Sequence, residues 1–288
     1  MLYQIIALLI WSSSFVAAKY AYTLLDPVLT VQARLIIAGL IILPTSFPLL
    51  KLVPRHEWKT LLWLSFANYV AVLLLQFIGL KYTSAASAVT LIGLEPLLMV
   101  FVGHYFFGDK AAPFHWICGA VAFVGVALLM FGGHGEGSPK TIDPFGCLLV
   151  LLAGIVFCFT LRPTQAMIKR IGAHVYTQTS LLLAAPLCLP FTLMLTENYA
   201  IHWDWRGFWA LLYLAVACSW LAYWLWNQGM NQVPANLMGL LTALEPIFGV
   251  ILAVILLREP TSALSWLGIA LVIMATTSAA FLERQRKT

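Results

Sequence analysis

Ten long apolar runs divide this chain, and they constrain its fold more than any other feature. Each has roughly the length of about 20 residues that an α-helix needs to cross a bilayer. The runs cover roughly 2–24, 28–50, 58–80, 84–107, 113–131, 144–167, 174–196, 205–227, 234–257 and 264–282. A membrane strand needs only about 10 residues and alternates apolar with polar positions, so a β-barrel is excluded. The predicted fold is an all-α integral membrane protein with ten transmembrane helices.

The composition excludes a soluble globular protein. Hydrophobic residues make up 62% of the 288 residues and charged residues only 9%, against about 25% charged in soluble domains. The net charge of +5 would suggest nucleic acid in a soluble protein, but here we attribute it to membrane topology and expect no nucleic-acid partner. The five cysteines lie in apolar runs without a C-x-x-C pair, so neither a zinc site nor a disulfide framework is indicated.

The loops predict the orientation of the chain. With the N-terminus in the cytoplasm, the cytoplasmic segments hold nine Lys and Arg residues and the other side holds five, which favours both termini inside. The first run has no basic residues before its apolar stretch and carries Lys19 near its end, so it is predicted to be a retained helix rather than a signal peptide. We therefore expect a multi-pass protein of the bacterial inner membrane.

The two halves of the chain repeat each other at an offset of 150 residues. Leu94-Glu95-Pro96 recurs as Leu244-Glu245-Pro246, and the pairs Gly79 and Gly229, Ala85 and Ala235, Asp109 and Glu259, and Trp116 and Trp266 match at the same offset. Because each half holds an odd number of helices, the second half must be inverted relative to the first. The predicted domains are a first five-helix repeat (1–132), a linker (133–143), a second five-helix repeat (144–282) and a basic tail (283–288).

This organisation resembles the EamA-type drug/metabolite transporter superfamily over essentially the whole chain. The residues that carry the resemblance are Glu95-Pro96 with Gly108-Asp109, Glu245-Pro246 with Arg258-Glu259, Trp11-Ser12, and Pro27 followed by Arg34. The chain departs from the pattern where Asp109 replaces a Glu and where Leu181 lies near the position that corresponds to Arg34. The Leu-Glu-Pro version is similar to the amino-acid exporter branch, such as the threonine/homoserine and aromatic amino-acid exporters. The resemblance implies a carrier of small molecules, amino acids among them.

Two acidic residues lie near the centres of their runs, where an ionisable group needs a partner or a function. Glu95 and Glu245 either face a central cavity, to meet a substrate ammonium group or carry a proton, or join the two halves structurally. The prolines that follow them, Pro96 and Pro246, are predicted to kink their helices and to serve as gates. Arg34 is expected to meet a carboxylate, which belongs either to an internal partner or to a substrate.

Further polar and aromatic residues predict a cavity for small zwitterions or aromatic solutes. The candidates are Trp11, Ser12, Asn68, Tyr69, Gln76, Tyr82, Trp220, Tyr223 and Asn227. On helix 8, Trp220, Tyr223 and Asn227 share one face at helical spacing. The competing interpretation is that such aromatics form an interfacial belt and that Ser and Asn simply join helices.

Motifs for an enzyme or a nucleotide-driven pump are missing from the sequence. His104 and Asp109 form an H-x4-D string, but His104 lies inside a predicted helix, and the chain has neither H-E-x-x-H nor a Gly-rich phosphate loop. We expect no catalytic residues, no metal and no cofactor. The expected function is secondary transport of amino acids, with broad specificity, by alternating access, as an exporter or facilitator. A carrier of other metabolites or drugs is the alternative, and an integral membrane enzyme is the alternative from a different class. The sequence leaves the oligomeric state open, and a monomer is compatible with it.

Overall fold

The computed structural model describes residues 2–108, 110–132, 143–230, 242, 245–258 and 262–287, and all regular structure in these ranges is helical. Seven spans are long and apolar enough to cross a membrane, and three shorter apolar helices complete a set of ten. We label them α1 (Leu2–Ala21), α2 (Pro27–Ser46), α3 (Arg55–Tyr82), α4 (Ala85–Phe106), α5 (Pro113–Gly132), α6 (Pro144–Ile171), α7 (Ala173–Leu195), α8 (Trp205–Met230), α9 (Glu245–Leu257) and α10 (Ala263–Lys287). The prediction of an all-α membrane fold is confirmed.

Aspartates begin three of these helices. Asp26 accepts a hydrogen bond from the Val28 N–H, Asp143 from the Phe145 N–H and Asp204 from the Gly207 N–H. In the first two cases a proline follows at once, and its fixed φ suits the first helical position. The Thr23 hydroxyl and the Gly207 N–H both donate to Asp204 and lower the pKa of its carboxyl. These caps set where the chain enters the apolar layer.

A short turn interrupts the helix α4 just before its Glu-Pro pair. Its first part ends at Ile92, Gly93 and Leu94 form a turn, and its second part begins at Glu95. Pro96 lies in the first turn of the second part, where its missing N–H costs little. In the second half, the described part of α9 begins at Glu245, next to Pro246. The kinking of both helices at these prolines stays a prediction.

The two halves interlock through their first helices. α1 packs against α8 and α9 of the second half, and α6 packs against α3 and α4 of the first. The repeated glycines explain how close these contacts are. An added Cβ on Gly79 in α3 would lie 2.7 Å from the Gly146 carbonyl oxygen of α6, and one on Gly229 in α8 would lie 2.7 Å from the Gln4 side chain of α1. Small residues of this kind let membrane helices approach closely.

A π-helical segment interrupts α3 and α8 at equivalent positions. The segments are Phe66–Ala71 and Leu214–Leu221, which overlap when the 150-residue offset of the repeat is applied. A π-segment bonds residue i to i+5 instead of i+4, and such segments are frequent at functional sites. Both halves therefore carry the same local irregularity.

Other repeated positions fall partly outside the described residues. Trp116 and Trp266 lie near the starts of α5 and α10 and are similarly exposed, at 46% and 43%. Asp109, Leu244, Glu259, Ala235 and the linker up to residue 142 lie outside the described residues. The cysteines are all buried and free, as expected of packing residues.

Candidate functional site: a cavity between the two halves

A small cavity of about 40 Å³ lies between the two halves of the molecule. Side chains from α1, α2, α3, α4, α6, α8 and α9 line it, together with Thr242. Its polar lining consists of Ser14, Arg34, Gln76, Glu95, Thr242 and Glu245, and its aromatic lining of Trp11, Phe15, Phe157, Tyr223 and Trp226. The cavity is small in this conformation.

Two carboxylates lie where α4 and α9 meet at this cavity. Glu95 and Glu245 are each 5% exposed. The two helices also touch next to these glutamates, because an added Cβ on Gly93 would lie 2.6 Å from Cγ of Pro246. The arrangement therefore puts two acidic groups at the crossing point of α4 and α9.

α4 and α9 each receive a hydrogen bond at their glutamate from the first helix of the opposite half. The Ser12 hydroxyl of α1 shares its hydrogen between the Leu8 carbonyl oxygen of its own helix, at 2.7 Å, and the Glu245 carbonyl oxygen, at 3.1 Å. The Cys158 thiol of α6 donates to the Glu95 carbonyl oxygen at 3.6 Å. Ser12 is thus placed beside the cavity by a contact between halves, although it does not line the cavity itself. The pair of contacts follows the internal symmetry of the fold.

Arg34 forms a cationic wall of the same cavity. Its Nε donates to the Ser219 hydroxyl at 2.7 Å, and its guanidinium carbon lies 5.0 Å from the centre of the Phe77 ring. Within the described residues no carboxylate pairs with it, and its Nη1 has no hydrogen-bond partner. The expectation of an internal carboxylate partner is therefore wrong for the part of the chain that the structure describes.

The aromatic side of the cavity is a stack of three neighbouring rings. Trp11 lies edge-on to Tyr223 at 4.9 Å and tilted against Trp226 at 5.4 Å. Its indole N–H donates to the Cys218 carbonyl oxygen at 3.1 Å, within the π-segment of α8. The Tyr223 hydroxyl donates to the Asn68 carbonyl oxygen at 3.0 Å, within the π-segment of α3. The two π-segments therefore hold the rings in place.

A second cavity of about 10 Å³ adjoins this aromatic stack and takes up other predicted residues. Asn68, Tyr69 and Asn227 line it. The Thr160 hydroxyl donates to Asn68 Oδ1 at 2.7 Å, and Asn227 Nδ2 donates to the Thr177 hydroxyl at 2.8 Å. These asparagines therefore act at least as links between helices.

The predicted site residues divide into three groups. Trp11, Gln76, Glu95, Tyr223 and Glu245 line the central cavity. Ser12, Asn68, Tyr69 and Asn227 lie next to it, whereas Tyr82 and Trp220 line neither of the two cavities. The Tyr82 hydroxyl instead donates to Glu197 at 3.4 Å, at a membrane face. Sequence reasoning missed Trp226, which follows Trp224 in a run of aromatics and is 2% exposed. The binding roles of these residues, and the gating role of Pro96 and Pro246, stay predictions.

Ion pairs join the two halves at both ends of the molecule. The start of α3 and the end of α6 lie at one face of the molecule. There Arg170 pairs with Glu57 at 2.9 Å. At the opposite face Lys81 pairs with Glu197, and the hydrogen bond from this lysine lowers the pKa of the Glu197 carboxyl. Among the described residues there is no cluster of three His, Cys, Asp or Glu side chains suited to a metal ion.

Some known proteins resemble this chain over nearly its full length and others over about half of it. A solved structure matches with a TM-score of 0.68, covering 100% of this chain and 98% of its own at 20% identity, which shows that the fold is shared. An uncharacterized transporter of Haemophilus influenzae is 51% identical over 142 residues, 49% of this chain and 84% of its own length. The uncharacterized transporter YdeK of Bacillus subtilis is 27% identical over 96% of both chains. The profile of the EamA-like transporter family matches residues 1–131 and 144–280. The chain is a multi-pass membrane protein that belongs to the EamA-like transporter family.

Proposed function

We propose that this protein is a secondary carrier, not an enzyme, that moves amino acids of several kinds across the bacterial inner membrane. The observation that carries the proposal is the pair Glu95 and Glu245, two buried carboxylates that line one cavity between inverted repeats. Transporters of inverted-repeat architecture bind their substrates at such a place. Buried carboxylates suit an ammonium group, and the aromatic stack beside them suits an apolar side chain.

Alternating access follows from the same geometry. The cavity measures about 40 Å³ in this conformation, and ion pairs join the two halves at both faces. Movement of the repeat 1–132 against the repeat 144–282 would open one face at a time. The resemblance to exporters favours an exporter or a facilitator. The basic residues of the loops support cytoplasmic termini.

The test is flux of a panel of radiolabelled amino acids into liposomes that hold the purified protein, with and without an imposed pH gradient. Saturable flux without a gradient supports a facilitator, and accumulation only with a gradient adds proton coupling. If no amino acid moves while other metabolites or drugs do, the amino-acid substrate is wrong and the second substrate class replaces it.

Proton coupling is tested on the carboxylates themselves. If Glu95 or Glu245 carries the proton, its Gln variant keeps the shape of the side chain but cannot ionise, so the pH dependence of flux is lost in a folded protein. Size-exclusion chromatography checks folding. Unchanged pH dependence in both variants assigns the pair to structure instead.

A further inference from the structure

Arg34 is a buried cation that forms no ion pair with any residue that the structure describes. It is 1% exposed on α2 and lines the central cavity. Its ionisable neighbours include Cys218, Tyr223 and Tyr22. Glu95 and Glu245 line the same cavity, but no ion pair joins them to Arg34. Within the described residues, Ser219 supplies its side-chain hydrogen bond. A buried charge of this kind is costly unless it serves a partner or a function.

The side chain is also held ready for a ligand. The Ser219 hydroxyl accepts from Arg34 Nε and donates to the Leu214 carbonyl oxygen at 3.0 Å, five residues earlier in the π-segment. The Phe77 ring packs against the guanidinium. Both contacts fix the orientation of the fork of donors, while Nη1 remains without an acceptor. A planar guanidinium with free donors matches the geometry of a carboxylate.

Resting on the function proposed above, we propose that Arg34 binds the carboxylate of the substrate. The ammonium group of the same molecule then lies on the side of Glu95 and Glu245, since these residues line the same cavity. The preferred substrate class is therefore a zwitterion with both charges, rather than an amine or a cationic drug. Ser219 is a positioning residue in this arrangement, because it acts through Arg34.

Three small molecules separate the two charges of a zwitterion. L-phenylalanine carries both, 2-phenylethylamine lacks the carboxylate, and 3-phenylpropionate lacks the ammonium group; an aromatic set suits the rings that line the cavity. Isothermal titration of the purified full chain measures their affinities in chloride-free buffer. The wild-type protein should bind L-phenylalanine about 10- to 100-fold more tightly than the amine, as expected for a charged hydrogen-bonded contact.

Variants then assign that preference to Arg34. In Arg34→Gln the affinity for L-phenylalanine should fall by about 10- to 100-fold, while the affinity for the amine stays unchanged. Arg34→Lys keeps the charge without the fork and should retain part of the preference. Arg55→Gln removes an exposed arginine and serves as the control. Ser219→Ala should lower the affinity for L-phenylalanine but not the affinity for the amine.

The outcomes distinguish this inference from the proposed function. Equal affinities of the wild-type protein for L-phenylalanine and the amine, or equal losses of both in Arg34→Gln, would overturn the carboxylate site and leave amino-acid transport standing. Binding of 3-phenylpropionate that depends on Arg34, without flux of any amino acid, would support the site and overturn the proposed function. Binding of none of the three molecules would overturn the site.

Discussion

The contact between α9 and the first part of α4 makes a sharp prediction about Gly249. An alanine there would place its Cβ 2.6 Å from Cγ2 and 3.0 Å from Cβ of Val89, whereas ordinary contacts lie at 3.4–4 Å. Val89 is fully buried, and a β-branched side chain in a helix has one strongly preferred rotamer, so it cannot turn away. Overpacking of this kind costs roughly 1–3 kcal/mol. We therefore expect Gly249→Ala to lower the Tm by about 2–12 °C.

The assay is thermal unfolding of the purified protein in detergent, and the chain supplies its own control. Gly39 in α2 is also a buried helical glycine, but an added Cβ there meets nothing within 4 Å. Gly39→Ala should therefore be neutral or stabilise by up to about 1 kcal/mol, through helix propensity. In the double variant Gly249→Ala/Val89→Ala, the smaller side chain relieves the clash. The double variant should therefore lose less stability than the sum of the losses of the two single variants. A Gly249→Ala protein as stable as Gly39→Ala, or strict additivity with Val89→Ala, would refute the reasoning.

Three further predictions concern the contacts between helices, and thermal unfolding tests each. Arg170→Met removes the partner of Glu57, whose side chain is 6% exposed; because Arg170 is 52% exposed, the loss should be about 1 kcal/mol, and no loss would contradict a clamp there. A lysine lowers the pKa of Glu197, so its stabilising effect is present at neutral pH and fades as the pH falls below its ordinary value of 4.5; the Tm deficit of Glu197→Gln should shrink in acid, and a constant deficit would be inconsistent with ionisation. Asn68→Ala removes the hydrogen bonds of its side chain to the Thr160, Thr164 and Tyr176 hydroxyls and should cost about 1–3 kcal/mol, whereas the exposed Asn198→Ala should cost less; equal effects would argue against the network.

The fold was accessible to sequence reasoning because lipid imposes a simple rule. Each backbone polar group must be bonded inside the bilayer, so a continuous apolar run can only be a helix. The offset of 150 residues also predicted equivalent environments. Gly79 and Gly229 both contact the first helix of the opposite half, and Glu95 and Glu245 both line the central cavity.

The lining of the cavity was less accessible, because it depends on how far each helix is rotated. The grouping of Trp220 with Tyr223 assumed a regular period, but Trp220 lies inside a π-segment, whose wider turn rotates the residues that follow. Trp226 then lines the cavity and Trp220 does not. The partner of Arg34 depends on the same irregularity, since Ser219 lies in that segment and nothing in the sequence pattern reveals it.

The most direct test of the central claim asks whether substrate passes through the cavity. Ser14 lines it and is 8% exposed, so Ser14→Leu fills space that a substrate would need. Thr45→Leu makes the same chemical change at an exposed position of α2 outside the cavity. Size-exclusion chromatography first checks that both variants are folded. Flux of amino acids into liposomes should then be lost in Ser14→Leu and retained in Thr45→Leu. Full flux through Ser14→Leu would contradict the claim that this cavity is the route of transport.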